Sequence, residues 1–225
     1  MDNKYVIAID GPGASGKSST AKGLAAKLQY VYIDTGAMYR ACGLAALQNK
    51  IKLSDLPALK KMLEKIEIKI IYSNSGNKVL LNGADVSQEI REAEISKISS
   101  EIAVIGEVRH KMVELQRQMG AAGGVILDGR DIGTVVFPEA DFKFFMIADV
   151  DERAQRRWQE LQERGRAVTL QAVKDELIWR DNNDSSRKIS PLKKADDAIE
   201  IDTTKMSIEQ QVDFLYDYII KHMEK

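Results

Sequence analysis

A glycine-rich loop between an apolar run and a helical pattern restricts the possible folds of this chain most strongly. The apolar run YVIAID covers residues 5–10, and GPGASGKSS follows it directly at residues 11–19. Continuous β-branched apolar residues indicate a strand buried in a parallel sheet, and residues 17–28 have helical spacing. Glycines let a backbone curl so that successive N–H groups point inward at an anion. Gly-x-x-x-x-Gly-Lys-Ser in this setting therefore predicts a phosphate-binding loop.

Two side chains of the predicted phosphate loop have separate tasks. Lys17 is suited to reach the β- and γ-phosphates of a nucleotide, and the Ser18 hydroxyl is suited to hold Mg²⁺. The helix that follows adds partial positive charge at its N-terminus. The alternative, a glycine-rich turn without a ligand, is disfavoured by the lysine and the flanking elements. An ATPase, a GTPase switch and a small-molecule kinase stay open, although the Asn-Lys-x-Asp sequence that reads guanine is absent from the chain.

The remaining pattern predicts an α/β fold, because strand and helix signals alternate. Further strands are predicted at 30–34, 123–129, 141–149 and 197–202, and helices at 36–49, 87–105, 107–120, 151–165, 169–186 and 207–225. We expect helix caps at Asp151 and Thr169 and a capping box from Ser207 to Gln210. Short strands at 66–73, 77–83 and 84–86, separated by NSGN and NG turns, predict a local antiparallel insert.

Composition narrows the class of protein. The 225 residues correspond to one domain with a small insert. With 33 Lys and Arg against 34 Asp and Glu, phosphate binding must depend on local charge, and no nucleic acid polymer is expected as partner. The single cysteine, Cys42, excludes an intramolecular disulfide and indicates a reducing compartment. Without a bilayer-length apolar stretch or a signal-peptide core, we expect a cytoplasmic protein that does not contact membranes. We also expect a monomer.

Arginines follow two of the predicted strands. In DTGAMYR (34–40), Arg40 comes about one and a half helical turns after Asp34, so it can point back toward the strand end. In DGRDIGTVVFP (128–138), Arg130 follows a buried strand and lies at the carboxyl edge of the predicted sheet, where α/β folds bind ligands. The alternative for Asp34 is that it only terminates its strand.

Two further groups of charged residues recur at helical spacing. One is Arg180, Asp184 and Arg187 within RDNNDSSRKISPL, and the other is Arg153, Arg156 and Arg157 within RAQRRW. Spacings of three and four place the members of each group on one helix face. The alternatives are a surface salt bridge for the first group and a solvated face paired with Glu152 and Glu160 for the second. Together with the strand-end arginines, they supply the positive charge that a site for two phosphorylated substrates needs.

These motifs resemble bacterial-type cytidylate kinase, a nucleoside monophosphate kinase, nearly from end to end. The stretches that carry the resemblance are AIDGPGASGKSS, DTGAMYRA, DGRDIGTVVFPEADFKFF, ERAQRR and RDNNDSSRKISPLKKADDAIEIDTT. Gly13 stands where the family usually has Ala, and Ser19 and Thr35 replace the commoner Thr and Ser. Both hydroxyls are retained, so these departures alter little.

The resemblance implies a P-loop fold with a five-stranded parallel sheet flanked by helices. It further implies a core of residues 1–34, 106–150 and 169–225, a monophosphate-binding region with the antiparallel insert at 35–105, and a short helical lid at 151–168. The implied reaction is ATP-dependent phosphorylation of CMP and dCMP with Mg²⁺. A nucleotide-dependent switch without turnover and a kinase for another small molecule, such as shikimate or a sugar acid, remain alternatives.

The resemblance also implies site residues. For ATP these are Gly11, Pro12, Gly13, Ala14, Ser15, Gly16, Lys17, Ser18 and Ser19, with Ser18 at the metal. For CMP they are Thr35, Arg40, Ser100, Arg109, Asp128, Arg130, Asp131, Arg180, Asp184 and Arg187. Lys17, Arg40, Arg130, Arg153 and Arg157 are the implied catalytic residues.

Overall fold

The computed structural model describes residues 4–71 and 78–223. The chain divides into two compact units, one comprising 1–32 and 122–225 and the other comprising 33–121. In the part of the chain that the structure describes, none of the helices combines the length and apolarity needed to cross a bilayer.

The first unit is organised around the predicted five-stranded parallel sheet, which the structure confirms. Its strand order is β2-β6-β1-β7-β8. The strands are β1 Val6–Asp10, β2 Val31–Asp34, β6 Val125–Gly129, β7 Phe142–Ile147 and β8 Ile199–Asp202. The accompanying helices are α1 Lys17–Leu28, α6 Val150–Glu163, α7 Leu170–Ser185 and α8 Ile208–Met223. Because β1 lies between β6 and β7, the loop after β1 starts at the centre of the sheet.

The core of this unit explains the apolar strand sequences. Ile7 and Ile9 of β1 and Ile126 of β6 are fully buried, and Leu215 and Ile219 of α8 belong to the same cluster. A strand enclosed on both faces has no solvent side, so it needs apolar residues at consecutive positions. This core fixes the carboxyl ends of the central strands, from which the phosphate loop and the DGRD segment begin.

The second unit consists of four helices and a three-stranded antiparallel sheet within the described residues. The helices are α2 Thr35–Gln48, α3 Leu56–Lys65, α4 Ala93–Ile102 and α5 Gly106–Gly120, and the strands are β3 Ile68–Ile71, β4 Lys78–Leu81 and β5 Ala84–Asp85. Asn82 and Gly83 turn between β4 and β5 with φ values of 50° and 86°, as a two-residue hairpin requires. The predicted insert is therefore confirmed, while its NSGN turn lies outside the described residues.

Several element boundaries differ from the sequence-based expectation. The helix α3, capped by Asp55 through the Ala58 N–H at 3.1 Å, was not predicted. The predicted helix at 87–105 is divided into a short 3₁₀ turn and α4. The cap of α6 is Asp149 rather than Asp151, because the Asp149 carboxylate accepts the Asp151 N–H at 2.7 Å.

Other expectations about the helix ends are confirmed. Thr169 caps α7 by accepting the Ala172 N–H at 3.2 Å. The capping box of α8 is present, because the Ser207 N–H donates to Gln210 Oε1 at 2.9 Å and the Gln210 N–H donates to Ser207 Oγ at 3.2 Å.

Candidate active site

The phosphate loop between β1 and α1 has a backbone that depends on glycine. Gly16 has φ 92°, and a Cβ added there would lie 2.7 Å from Gln211 Oε1. Any larger residue would therefore meet both an unfavourable backbone conformation and a buried side chain. The helix α1 begins directly after Gly16, so its unpaired N–H groups and its dipole favour an anion at this point.

Lys17 lies over this loop and is almost completely buried. Its Nζ donates to the Pro12 carbonyl at 3.0 Å. Burial, reinforced by the charge of Arg130, lowers the pKa of Lys17 from 10.5 to about 7. A phosphate would replace a neutral carbonyl partner with an anionic one, so the arrangement favours anion binding.

Ser18 lies against the end of the neighbouring strand β6. Its hydroxyl donates to Asp128 Oδ2 at 2.6 Å, and the Tyr32 hydroxyl donates to Asp128 Oδ1 at 2.7 Å. Hydroxyl and carboxylate oxygens are ligands that Mg²⁺ accepts, usually one or two from the protein with phosphates and water completing the set. The donors present here fit that pattern. Among residues 4–71 and 78–223, there is no cluster of three or more His, Cys, Asp or Glu that could hold a metal ion.

Asp10 ends β1 and holds the segment that follows β6. Its two carboxylate oxygens accept the Ile132 and Gly133 N–H groups, each at 2.8 Å. Burial raises the pKa of Asp10 from 3.8 to about 7, although these two N–H groups favour the ionised form. Asp131, which precedes the bonded segment and is itself buried, is thus connected to the start of the phosphate loop.

Asp184 is a common partner of arginines that are predicted to surround the second substrate. Arg130 Nε donates to Asp184 Oδ2 at 2.7 Å, and Arg187 pairs with the other carboxylate oxygen. Burial alone would raise the pKa of Asp184, but Arg130, Arg187 and Arg180 hold it below its usual value. Burial would lower the pKa of Arg130, but Asp184 outweighs this effect and raises it.

The helix-face prediction for this group is only partly correct. Arg180 and Asp184 belong to α7, whereas Arg187 lies beyond its end at Ser185. Arg187 nevertheless contacts Asp184, because the chain turns back there and the Leu192 N–H donates to the Asp184 carbonyl at 2.8 Å.

The three arginines of α6 do not form a single solvated face. Arg153 is 6% exposed. It donates through Nη1 to the Gly13 carbonyl at 3.1 Å and pairs with Asp181 at 2.7 Å. Arg156 donates to the carbonyl of Thr203 at 2.7 Å. These two side chains therefore bind α6 to the phosphate loop and to the segment after β8.

Of the three arginines of α6, Arg157 best fits the alternative of a solvated helix face paired with glutamates. It pairs with Glu160 at 2.7 Å, and its side chain is 32% exposed. A half-exposed ion pair of this kind exchanges partners at little cost.

Three of the residues predicted to bind CMP lie inside the second unit. Arg40 returns to its strand end, where Nη2 donates to Asp34 Oδ2 at 3.1 Å. Thr35 begins α2 and is buried. Arg109 is 1% exposed, and its guanidinium lies 5.5 Å from the centroid of the Tyr39 ring.

Ser100 is also buried in this unit, on α4. Its hydroxyl lies 3.4 Å from the Ser96 carbonyl. This long contact is the weakest of those described for the predicted substrate residues.

Comparison with known proteins identifies the family. A family model described as cytidylate kinase matches residues 7–221. The cytidylate kinase of Bacillus pumilus (strain SAFR-032) is 51% identical over 210 residues, covering 93% of each chain. That of Chloroherpeton thalassium (strain ATCC 35110 / GB-78) is 50% identical over 225 residues, covering 96% of this chain and 94% of its own. The chain belongs to the cytidylate kinase family.

Membership of the cytidylate kinase family gives the class of reaction. The chain is a kinase, a nucleotide-binding transferase that phosphorylates nucleoside monophosphates. Among solved structures, an uncharacterized protein from Eubacterium ventriosum ATCC 27560 has a TM-score of 0.53 at 12% identity, covering 98% of this chain and 100% of that chain. At this identity the likeness shows the fold alone.

Sequence reasoning missed several side-chain hydrogen bonds that support the phosphate loop. The Thr20 hydroxyl donates to Gln211 Oε1 at 2.6 Å, and Gln211 Nε2 donates to the Met206 carbonyl at 3.0 Å. The Thr203 hydroxyl donates to the Ser15 carbonyl at 2.8 Å. The loop of this cytidylate kinase family member is thus supported from α8 and from the segment after β8.

Two of the missed residues carried a signal in the sequence. Gln211 shares the apolar face of α8 with Leu215 and Ile219, at spacings of four and eight. Asp10 is a carboxylate within an otherwise apolar strand. A polar side chain at a core position needs a partner, and this rule points to both residues without naming the partner.

Proposed function

We propose that this chain transfers the γ-phosphoryl group of ATP to CMP and dCMP, giving CDP and dCDP. The observation that carries the proposal is the position of Arg130 beside the phosphate loop. Its Nη2 lies 3.8 Å from the point that a Cβ on Gly13 would occupy, and Asp184 holds its Nε. A mostly buried arginine near Lys17 adds positive charge to that of the phosphate loop, which supports a second, phosphorylated substrate.

The acceptor in this reaction needs no general base. Its phosphate has a second pKa near ~6 and is mostly dianionic at pH 7. The obstacle is repulsion between two phosphate groups that must approach in line. We assign Lys17, Arg40 and Arg130 to neutralising that charge, with Arg153 and Arg157 of α6 contributing. Mg²⁺, when bound with ATP, supplies further positive charge at the phosphates.

Arg153 and Arg157 of α6 differ in the contacts that they make. Arg153 is itself buried and is committed to the Gly13 carbonyl and to Asp181. Among the described residues, Arg157 pairs with Glu160, and this pair is partly exposed. We therefore assign contact with the transferring group to Arg157 and the anchoring of the lid, residues 151–168, to Arg153. Closure of the lid would exclude water and suppress ATP hydrolysis.

Cytosine is distinguished from uracil by its N4 amino group beside N3 and O2 acceptors. We propose that Asp131 and Ser100 accept from N4, and that Arg109 and Arg187 donate to N3 and O2. A carboxylate facing uracil O4 would set acceptor against acceptor and leave buried groups unpaired.

The ribose and phosphate of CMP have their own proposed contacts. Arg180 and Asp184 are assigned to the ribose. The remaining assignments, which follow the family resemblance, are Thr35, Arg40, Asp128 and Arg130. The Asp128 contacts with Ser18 and Tyr32 also favour a role on the metal side.

The division into core, monophosphate-binding region and lid, the monomeric state and the cytoplasmic location stay predictions of this proposal. So does the absence of a nucleic acid or membrane partner.

Release of ADP with a panel of acceptors tests the proposal. CMP and dCMP should support turnover at least about tenfold faster than UMP, AMP or shikimate at equal concentration, because a pocket that pairs with N4 rejects the other acceptors. Equal rates with and without any acceptor would indicate an ATPase or a switch. A preference for shikimate would contradict the assignment of the acceptor.

A further inference from the structure

The carboxylate of Asp128 lies between two hydroxyl donors from different elements. Tyr32 of β2 donates to Oδ1 at 2.7 Å, and Ser18 of α1 donates to Oδ2 at 2.6 Å. Tyr32 is 4% exposed and Asp128 is 3% exposed. Both oxygens of the carboxylate are therefore held by separate donors in a buried environment.

The ring of Tyr32 is fixed independently of its hydroxyl. It belongs to the core cluster that includes Ile7, Ile126 and Leu24. A side chain packed into such a core keeps one rotamer, so the position of its hydroxyl is determined before any ligand binds. The hydroxyl in turn limits rotation of the Asp128 carboxylate and directs its second oxygen at Ser18.

This arrangement orients the proton of Ser18. Because the hydroxyl donates its proton to Asp128, its lone pairs point away from the carboxylate and are available to a cation. A partner that fixes a metal-binding group in this way is usually worth about 10–100-fold in metal affinity.

We propose that Tyr32 is a positioning residue for the metal–nucleotide complex, acting through Asp128 on the hydroxyl of Ser18. This inference rests on the proposed function, because it requires Ser18 to meet Mg²⁺ bound with a nucleotide. In this proposal Tyr32 acts without contacting the metal or the nucleotide itself. A tyrosine with a purely structural role would hydrogen-bond through its hydroxyl and stabilise the core. Its loss would not change how much Mg²⁺ increases the affinity for the nucleotide.

The Tyr32→Phe variant separates these two roles, because it removes one oxygen and keeps the ring in the core. Tyr30→Phe is the matched control. Tyr30 packs against the same cluster, and its hydroxyl accepts the Tyr5 N–H at 3.2 Å, away from Asp128. Circular dichroism checks that both variants fold.

The measurement is the affinity for ADP with and without Mg²⁺, obtained by titration calorimetry. In Tyr32→Phe, the gain in ADP affinity produced by Mg²⁺ should fall about tenfold, at the low end of the range for such partners, with metal-free affinity unchanged. Tyr30→Phe should keep the gain of the wild type. An unchanged gain in Tyr32→Phe, or an equal loss with and without Mg²⁺, would overturn the proposal.

A second variant tests the route through Asp128 even if Tyr32→Phe folds poorly. Asp128→Asn keeps Tyr32 and should also reduce the gain that Mg²⁺ produces, and Tyr32→Phe should add nothing in that background. An Asp128→Asn variant with the full gain, or independent additive losses, would contradict the inference alone. A wild-type chain that binds no ADP would instead overturn the proposed function together with it.

Discussion

The phosphate loop and helix α6 are positioned in different ways. The loop is supported by short buried bonds from Thr203 and Gln211, which leave little freedom. Beyond Arg153 and Arg156, α6 relies on a small cluster of apolar residues shared with α7 and on exposed ion pairs such as Arg157–Glu160. Local stability decreases where buried contacts are few. Under the proposed function, the donor phosphates would meet a preformed site, and Arg157, which is proposed to complete it, would be held less firmly.

The largest effect should come from the fixed region. Lys17→Ala should reduce kcat by a factor on the order of 10²–10³, because a charged contact with the transferring group is lost. The fold should remain intact, since the substitution removes a buried ammonium group together with its desolvation cost. Steady-state kinetics and urea unfolding check both statements, and a near-normal kcat would contradict the phosphate-loop assignment.

The next effect concerns the choice of base. Asp131→Ala should reduce the ratio of kcat/KM for CMP to that for UMP by about 10², since a partly wet pocket reaches less than the ~10⁴–10⁵ of the best cases. The decrease in kcat/KM should be found with CMP rather than with UMP. Kinetics with both nucleotides decide the matter. An equal loss for both would mean that Asp131 orients Arg130 or the metal instead.

A smaller effect is expected in the region proposed to move. Arg157→Ala should lower kcat about tenfold with little change in the affinity for CMP, because its proposed contact with the transferring group would form only on lid closure. Arg164→Ala is a matched control, since Arg164 pairs with the same Glu160 at 2.6 Å. Equal effects of the two variants would indicate that Arg157 only stabilises the helix.

The last prediction concerns stability rather than catalysis, and it is a pH dependence. Because the pKa of Asp10 is raised from 3.8 to about 7, the folded chain holds a proton in this window that the unfolded chain lacks. Its contribution to the free energy of unfolding therefore falls as pH rises through the window, by up to about 1.4 kcal/mol per pH unit, and is level above it. Urea unfolding at pH 5 to 8 should show this slope in the difference between wild type and Asp10→Asn, and parallel profiles would contradict it.

Sequence alone predicted the parts of the molecule whose determinants are local. The helix at residues 17–28, the phosphate loop before it and the hairpin at Asn82-Gly83 each depend on spacing within a few residues. The partners of Asp10 and Thr20 lie 122 and 191 residues away, and no local pattern contains such distances. The arginines of α6 are a further example. Their spacing predicted one shared helix face, but contacts with distant carbonyls and with Asp181 give the three side chains different surroundings.

Product analysis with ATP labelled in its γ-phosphate tests the central claim most directly. In the presence of CMP and Mg²⁺, the account predicts that label appears in the β-phosphate of CDP in equal amount to the ADP formed. Label recovered mainly as inorganic phosphate, at a rate that CMP does not change, would contradict it.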